Sequence, residues 1–115
     1  MVYRGIKSKF PSDIGIGSKF YFKEFVSTSI NKEIAENFMK DDNDSKIGTL
    51  MIITIKNNGI NKLPNYCYYI NNISCAEKEE EILISSHCHY IVTKFEHNEN
   101  DFDYVYLTCE GYLLD

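Results

Sequence analysis

The stretch that most limits the fold of this chain is Thr49–Lys56, TLMIITIK, a continuous apolar run of strand length. Asn57, Asn58 and Gly59 follow it and form a turn signal. A strand that is apolar on both faces has to be covered on both faces, as the inner strands of layered sheets are. The run therefore predicts a central strand inside a strand-rich domain.

The rest of the chain predicts further short strands, bounded by polar or glycine-containing turns. These strands are Val2–Gly5, Ser18–Ser29, Ile82–Ile84, Cys88–Glu96 and Asp103–Cys109. The last two are separated by a polar turn and are predicted to form a hairpin. Ile60–Ala76 is rich in asparagine and tyrosine, and it predicts a long loop with at most one edge strand.

One segment, Ile30–Lys40, has the periodicity of a helix. Its apolar side chains recur at the spacing of a single helix face, at Ile30, Ile34, Ala35, Phe38 and Met39. Ser29 precedes this segment and is predicted to be its N-cap. Strands thus dominate, with one clear helix, and the 115 residues are predicted to form a single α+β domain with few helices.

Charge and hydropathy bear on the partners of the chain. A net charge of −5, a pI near 5.1 and the lack of any Lys/Arg cluster in the sequence argue against nucleic acid and anionic membranes as partners. No apolar stretch has the length of a membrane span, and MVYRGIKSKF at the N-terminus lacks the apolar region of a signal peptide. We therefore expect a soluble chain, and its compartment stays open between a secreted effector and a cytoplasmic protein.

The cysteines do not predict a metal site. Cys67, Cys75, Cys88 and Cys109 include no CxxC pair. His87 and His89 flank Cys88, but alternation along a strand would send the histidines to one side and the cysteine to the other. Buried free thiols and no bound metal are expected.

An acidic stretch, EKEEEILI at Glu77–Ile84, leads straight into the apolar triplet of a predicted strand. At the two-residue period of a strand, Glu79 and Glu81 point to one side and Glu80 to the other. Like charges beside a hydrophobic strand cost free energy through repulsion and desolvation, which favours a functional role. The alternative is a solvated acidic loop that keeps the start of the strand soluble.

Arg4 is the one arginine among the twelve Lys and Arg residues of the sequence. Its planar fork of donors matches two oxygens of a phosphate or carboxylate at once, which lysine cannot do. The alternative is a surface arginine in a lysine-biased sequence.

Three hydroxyl residues, Ser27, Thr28 and Ser29, end another predicted strand, and capping accounts for Ser29 better than for Ser27.

Taken together, three motifs resemble those of the R-S-E class of mono-ADP-ribosyltransferases. They are Tyr3-Arg4-Gly5 on a strand, Phe25-x-Ser27-Thr28-Ser29 before a helix, and Glu79-x-Glu81 before Ile-Leu-Ile. The order, spacing and flanking apolar residues agree over almost the whole chain. The resemblance implies an ADP-ribosyltransferase-like fold, with two packed, mostly antiparallel β-sheets around an NAD cleft.

The resemblance also implies a single catalytic core over residues 1–115, without the helical region that usually precedes the arginine strand. NAD would be its substrate, and no metal is implied. A missing wall of the cleft would let water in and favour hydrolysis of NAD over transfer.

The resemblance assigns a role to each motif. Glu81 takes the position of the catalytic glutamate, which stabilises the positive charge that builds on the ribose as the nicotinamide bond breaks. Ser27 takes the position of the hydroxyl that orients this glutamate. Arg4 would hold the pyrophosphate or its neighbouring ribose, and Gly5 would let the backbone approach the nicotinamide amide.

The remaining positions that the resemblance connects with NAD are Tyr3, Thr28 and Phe38. Phe38 falls where related enzymes often place an aromatic ring against nicotinamide, although its helical pattern fits plain core packing equally well.

Glu79 resembles the residue that attracts and activates the acceptor guanidinium in arginine-modifying members of the class. The implied partner is therefore a target protein that presents an arginine. Many relatives carry a target-contacting aromatic residue three positions before this glutamate, where this chain has Ala76. Either Tyr68 and Tyr69 substitute for it, or the choice of target differs.

The sequence thus predicts transfer of ADP-ribose from NAD to a protein arginine, with release of nicotinamide. Three alternatives stay open: an NAD glycohydrolase, a catalytically silent binding module of the same fold, and an unrelated β-rich interaction domain. In the last of these, the acidic stretch only keeps a hydrophobic strand soluble.

Overall fold

The computed structural model describes residues 1–11, 13–39, 48–56, 66–71, 80–97 and 102–112. Within these residues the chain forms eight strands and one helix, which confirms the predicted dominance of strands. In chain order they are β1 (Val2–Ile6), β2 (Lys19–Tyr21), β3 (Val26–Ser29), α1 (Lys32–Met39), β4 (Thr49–Ile55), β5 (Cys67–Asn71), β6 (Glu80–Ile84), β7 (Cys88–His97) and β8 (Asp103–Tyr112). In the described part of the chain, no helix is both long enough and apolar enough to span a membrane.

The strands follow one another in a continuous hydrogen-bonded order, β2-β7-β8-β4-β1-β3-β6-β5. All neighbouring strands are antiparallel except β4 and β8, which run parallel. The predicted hairpin is present as β7 and β8, and the predicted edge strand is present as β5 at one end of the order. The fold is thus mostly antiparallel, as expected.

β4 is the central, doubly covered strand that its apolar run predicts. It pairs with β1 on one side and with β8 on the other. Met51 and Ile53 belong to the main hydrophobic core, while Leu50 and Ile52 pack against Ala35 of α1 on the opposite face. Because both faces are buried from Leu50 to Ile53, a polar side chain there needs a hydrogen-bond partner, as the buried Thr49 hydroxyl has in the Ser8 carbonyl.

The two halves of the strand order pack against each other. Four strands separate β8 from β5 in the order, yet Tyr66, which precedes β5, lies directly against Gly111 of β8. The Tyr66 hydroxyl also donates a 2.7 Å hydrogen bond to the carbonyl of Lys56, the residue after β4. The main core unites side chains of β6, such as Ile84, with side chains of β7, such as Tyr90. The order is therefore folded over on itself as two packed layers, which agrees with the two predicted sheets.

Gly111 combines a positive φ with close contact to Tyr66, so a substitution there tests this packing. Its φ is +94°, and a Cβ added there would lie 3.0 Å from the Tyr66 ring. We expect Gly111→Ala to lower the free energy of unfolding by about 1–3 kcal/mol, measured by urea denaturation. Gly15→Ala is the matched control, because a Cβ there meets nothing within 4 Å. Equal stability of the two variants would show that the close contact does not constrain the fold.

The prediction of one strand over Ser18–Ser29 is wrong. The segment forms β2 and β3, and residues 22–25 between them belong to no strand, with a bend at residues 23 and 24. The break has a topological cause, because β2 pairs with β7 in one half of the order and β3 pairs with β1 and β6 in the other. The Phe22 carbonyl accepts a hydrogen bond from the His87 amide, and the Phe22 ring packs on Phe20 and Tyr90. The chain thus crosses between the two layers at this point.

The helix begins at Lys32, two residues later than predicted, and Ser29 is not its N-cap. The Asn31 side chain accepts a 2.9 Å hydrogen bond from the Glu33 amide, which is the N-cap interaction. Ser29 belongs to β3, and its hydroxyl oxygen accepts a 3.0 Å hydrogen bond from the Asn31 amide. Ser29 therefore stabilises the turn between strand and helix.

The described cysteines, Cys67, Cys88 and Cys109, are buried and free, as the sequence predicts. Burial raises the pKa of the Cys67 and Cys88 thiols to about 12, so both are neutral packing groups at physiological pH. The described residues contain no group of three or more His, Cys, Asp or Glu side chains that could hold a metal ion. Cys75 lies outside the described residues.

Candidate active site

The candidate site lies where β1 and β3 diverge. These strands share the single register pair Tyr3 and Ser29, whereas β1 pairs with β4 along five residues and β3 with β6 along four. A pocket of about 290 Å³ opens beside this short contact. It is lined by Tyr3, Arg4, Gly5, Ser27, Thr28, Ser29, Ile34, Ala35 and Glu81.

Arg4, Ser27 and Glu81 are connected by two hydrogen bonds. The Arg4 guanidinium donates through Nη1 to the Ser27 carbonyl at 3.0 Å. The Ser27 hydroxyl donates to Oε1 of Glu81 at 2.6 Å, the short distance expected of a hydrogen bond to an ionised carboxylate. One residue of β3 therefore links the cation of β1 to the carboxylate of β6.

Strand register explains how Ser27 reaches Glu81. Ser27 pairs with Leu83 and Ser29 pairs with Glu81, so Ser27 and Glu81 are diagonal neighbours on one face of the β3–β6 pair. Ile82 and Ile84 point the other way and are 5% and 0% exposed. Burial of this pair of side chains fixes the register, and a slip by one residue would turn Glu81 into the core.

Thr28 strengthens the same strand pair from the buried side. Its hydroxyl donates a 2.6 Å hydrogen bond to the carbonyl of Ile82, the residue after Glu81. Thr28 is 4% exposed. Its hydroxyl proton is therefore used to tie β3 to β6, although the residue also lines the pocket.

Arg4 carries the positive charge of the pocket. It is half-buried on β1, and among the described residues it forms no ion pair with a carboxylate. Its contact with the Ser27 carbonyl holds the side chain in place without neutralising it. A half-buried, uncompensated guanidinium at a pocket wall is suited to an anionic ligand.

The sequence model of the family described as NAD:arginine ADP-ribosyltransferase matches residues 1–111 of this chain. The chain belongs to this family. It is 33% identical over 92 residues to the NAD(+)–arginine ADP-ribosyltransferase EFV of Enterococcus faecalis, an alignment that covers 80% of this chain and 17% of EFV.

Solved structures show the same fold. The ADP-ribosyltransferase Vis, a toxin from Vibrio splendidus, superposes with a TM-score of 0.70 in complex with its M6 inhibitor and 0.69 in complex with agmatine. Both superpositions are 22% identical in sequence, and each covers 94% of this chain and 47% of the Vis chain. The chain thus spans less than half the length of these relatives, and the predicted ADP-ribosyltransferase-like fold is confirmed.

The structure brings most of the predicted site residues of this ADP-ribosyltransferase family member into one pocket. These are Tyr3, Arg4, Gly5, Ser27, Thr28 and Glu81. Phe38 lies in α1, but its side chain is outside the described part of the structure. Glu79 also lies outside the described residues.

Sequence reasoning missed three lining residues, Ser29, Ile34 and Ala35. Ser29 was interpreted as a helix cap, and the helix positions were interpreted only as core. The sequence did indicate that these residues lie near the site, because a helix that directly follows a functional strand usually packs next to it. What the sequence lacked was the direction from which α1 approaches β1.

Proposed function

We propose that this chain is the catalytic core of a mono-ADP-ribosyltransferase that cleaves NAD and transfers ADP-ribose to an arginine side chain of a target protein. The observation that carries the proposal is the connected set Arg4, Ser27 and Glu81 in one pocket, with Ser27 Oγ 2.6 Å from Glu81 Oε1. Family membership of the chain supports the same reaction.

The pocket has the chemistry that a dinucleotide requires. Arg4 supplies a planar cation for the pyrophosphate or its neighbouring ribose. Gly5 leaves β1 without a side chain at the pocket wall, where a ligand can approach the backbone. The volume of about 290 Å³ is at the lower end of ligand pockets, which span roughly 300–1,000 Å³, and suits the nicotinamide riboside end of NAD.

Glu81 is suited to assist cleavage of the bond between nicotinamide and ribose. When this bond breaks, its electron pair leaves with nicotinamide, and positive charge develops on the ribose. A carboxylate fixed beside that sugar stabilises the transition state more than the ground state. Ser27 holds Oε1 of Glu81 and so keeps the carboxylate in one orientation, as a positioning residue.

Arginine is the acceptor that the sequence supports best. Glu79 stands two residues before Glu81, where a second carboxylate can attract a guanidinium and accept its proton as the nitrogen forms the new bond to the ribose carbon. The net charge of −5 also favours a cationic acceptor over nucleic acid or an anionic membrane.

Hydrolysis of NAD is the second candidate function, with water in place of the arginine nitrogen. It is favoured by the position of Ser27, which is solvent-exposed beside Glu81. A catalytically silent module is less well supported, because Arg4, Ser27 and Glu81 are all present and connected.

The test is transfer of labelled ADP-ribose from NAD to agmatine and to a mixture of proteins. We expect wild type to label the guanidinium, and Glu79→Gln to lose transfer by about a hundredfold or more while NAD hydrolysis continues. Glu77→Gln, in the same acidic stretch, is the matched control and should keep transfer. Equal loss of hydrolysis and transfer in Glu79→Gln would contradict the acceptor role of Glu79, and hydrolysis by wild type without any transfer would favour the glycohydrolase.

A further inference from the structure

The pocket holds only one end of a dinucleotide, so the other end has to lie outside it. The volume of about 290 Å³ suits the nicotinamide riboside end of NAD. NAD carries a second nucleoside, adenosine, on the far side of its pyrophosphate. If NAD binds as in the proposed function, this adenosine lies on the surface next to the pocket, and the strands around the pocket determine on which side.

The gap between β1 and β3 leads out of the pocket toward the start of β3. The two strands share the register pair Tyr3 and Ser29, and the antiparallel direction then brings Gly5 to the level of Ser27. At the Ser29 end, the chain turns into α1, which forms part of the pocket wall. At the other end β3 is not paired with β1, so the pocket is open in that direction.

The Arg4 side chain is directed along the same path. Its backbone follows Tyr3 and so lies at the level of Thr28, but its Nη1 donates at 3.0 Å to the carbonyl of Ser27, one residue nearer the start of β3. A pyrophosphate bound to this guanidinium therefore lies toward the start of β3. The adenosine beyond the pyrophosphate continues in the same direction.

Phe25 lies at the open end of this path. It directly precedes β3 and continues the alternation of that strand, because residues 25 and 27 are exposed while residues 26 and 28 are buried. Phe25 is 53% exposed and thus shares the open face with Ser27. Two residues of extended chain span about 7 Å, which places the Phe25 ring beyond the rim of the pocket rather than among its lining residues.

The Phe25 ring suits the base of a nucleotide. An aromatic side chain stacks on the flat face of a base, and this contact needs no hydrogen-bonding group from the protein. Exposure alone would be a weak argument, because Phe95 of β7 is also 44% exposed. Phe25 differs from Phe95 in its position, one strand repeat from Ser27 at the open end of the pocket.

We propose that Phe25 forms an adenine subsite, in which its ring stacks on the base of NAD while Arg4 holds the pyrophosphate. This inference rests on the proposed function and names the contact that binds the far end of the same substrate. Because stacking involves the face of the base rather than its edge, the subsite should also bind adenine nucleotides that lack nicotinamide, such as AMP.

The experiment compares NAD cleavage by wild type, Phe25→Ala and Phe25→Tyr, measured as release of nicotinamide. We expect Phe25→Ala to raise the KM for NAD about five- to a hundredfold, the range of one stack between a base and an aromatic ring. The kcat should stay within about twofold of wild type, because the adenine contact is the same in the ground state and the transition state. Phe25→Tyr keeps the ring and should keep the wild-type KM.

Nicotinamide mononucleotide separates the two ends of the ligand, because it has the nicotinamide riboside and one phosphate but no adenine. We expect its dissociation constant, measured by NMR titration, to be the same for wild type and Phe25→Ala. The dissociation constant of AMP should rise in Phe25→Ala by a factor similar to that for NAD.

Phe95→Ala is the matched control. It removes an exposed phenylalanine from β7, a strand in the other half of the order that contributes no residue to the pocket. We expect no change in the KM for NAD. A thermal unfolding curve of each variant shows that it is folded.

The outcomes separate this inference from the proposed function. If wild type cleaves NAD and Phe25→Ala has the same KM for it, the role of Phe25 is wrong and the function stands. If Phe25→Ala weakens binding of nicotinamide mononucleotide as much as that of NAD, Phe25 supports the pocket itself and the inference is wrong. If wild type neither binds nor cleaves NAD, the proposed function fails, and AMP decides on Phe25, because AMP that does not bind, or that binds Phe25→Ala equally well, contradicts the inference.

Discussion

Glu81→Gln is expected to lower kcat for NAD cleavage by about a hundred- to a thousandfold, the usual cost of removing one preorganised charge-stabilising group. Glutamine keeps the size of the side chain and can still accept the hydrogen bond that Ser27 donates to Oε1. The lost negative charge matters mainly in the transition state, so the KM for NAD should change little. The measurement is release of nicotinamide from NAD under saturating conditions.

Glu110→Gln provides the matched control for this prediction. Glu110 is a partly buried glutamate of β8, and it lies 3.9 Å from His89 rather than in the pocket. Its amide variant should cleave NAD at the wild-type rate. If Glu81→Gln keeps more than about a tenth of wild-type kcat, the carboxylate does not carry the transition-state charge, and the proposed mechanism is wrong.

Arg4→Lys is expected to weaken NAD binding about ten- to a hundredfold, because lysine keeps the charge but not the planar, two-pronged donor. The substitution also removes the 3.0 Å hydrogen bond to the Ser27 carbonyl, which ties β1 to β3 at the pocket. Isothermal titration with NAD measures the loss directly. The rise in melting temperature that saturating NAD gives to wild type should shrink in parallel, since a ligand stabilises the native state according to its affinity.

Lys19→Gln is the control for Arg4→Lys, because it removes a cation from an exposed position on β2. It should leave the affinity for NAD unchanged. An unchanged affinity in Arg4→Lys would mean that Arg4 does not bind the anionic part of the substrate. Its contact with Ser27 would then be its main contribution, visible as a change in kcat alone.

Several parts of the fold and of the site could be predicted from the local pattern of residues. The apolar triplet after Glu81 predicted the buried face of β6, and the alternation of strands then placed Glu81 on the opposite face. The apolar run of β4 predicted a central strand, which the structure confirms. In both cases the hydrophobic pattern determines burial before any tertiary contact is known.

The pairing partners of each strand could not be predicted from the sequence. Ser27 and Glu81 are far apart in the chain, and only the antiparallel pairing of β3 with β6 makes them neighbours. The break between β2 and β3 was missed because the aromatic and β-branched residues of Ser18–Ser29 outweighed the weak strand propensity of Lys23 and Glu24, where the chain bends. The two strands belong to different layers. The cap at Asn31 was missed because Ser29 and Asn31, two positions apart, both had cap chemistry, and tertiary structure selected between them.

The resemblance to a known family was needed for the roles, and the structure supplied the connections. Without the resemblance, the sequence left open that Arg4 is a surface residue in a lysine-biased chain. The structure places it in a pocket, bonded to the residue that also holds Glu81. The role of Arg4 thus follows from the residues that it contacts rather than from its residue type alone.

The position of Arg4 also bears on self-modification. A transferase that labels arginines is present at high concentration near its own reaction, and every surface guanidinium it carries competes with the intended target. The only guanidinium of this chain is half-buried in the pocket and bonded to the Ser27 carbonyl. Under the proposed function, residues 1–115 of one copy therefore offer another copy no fully exposed arginine, and ADP-ribose would be left to foreign arginines or to water.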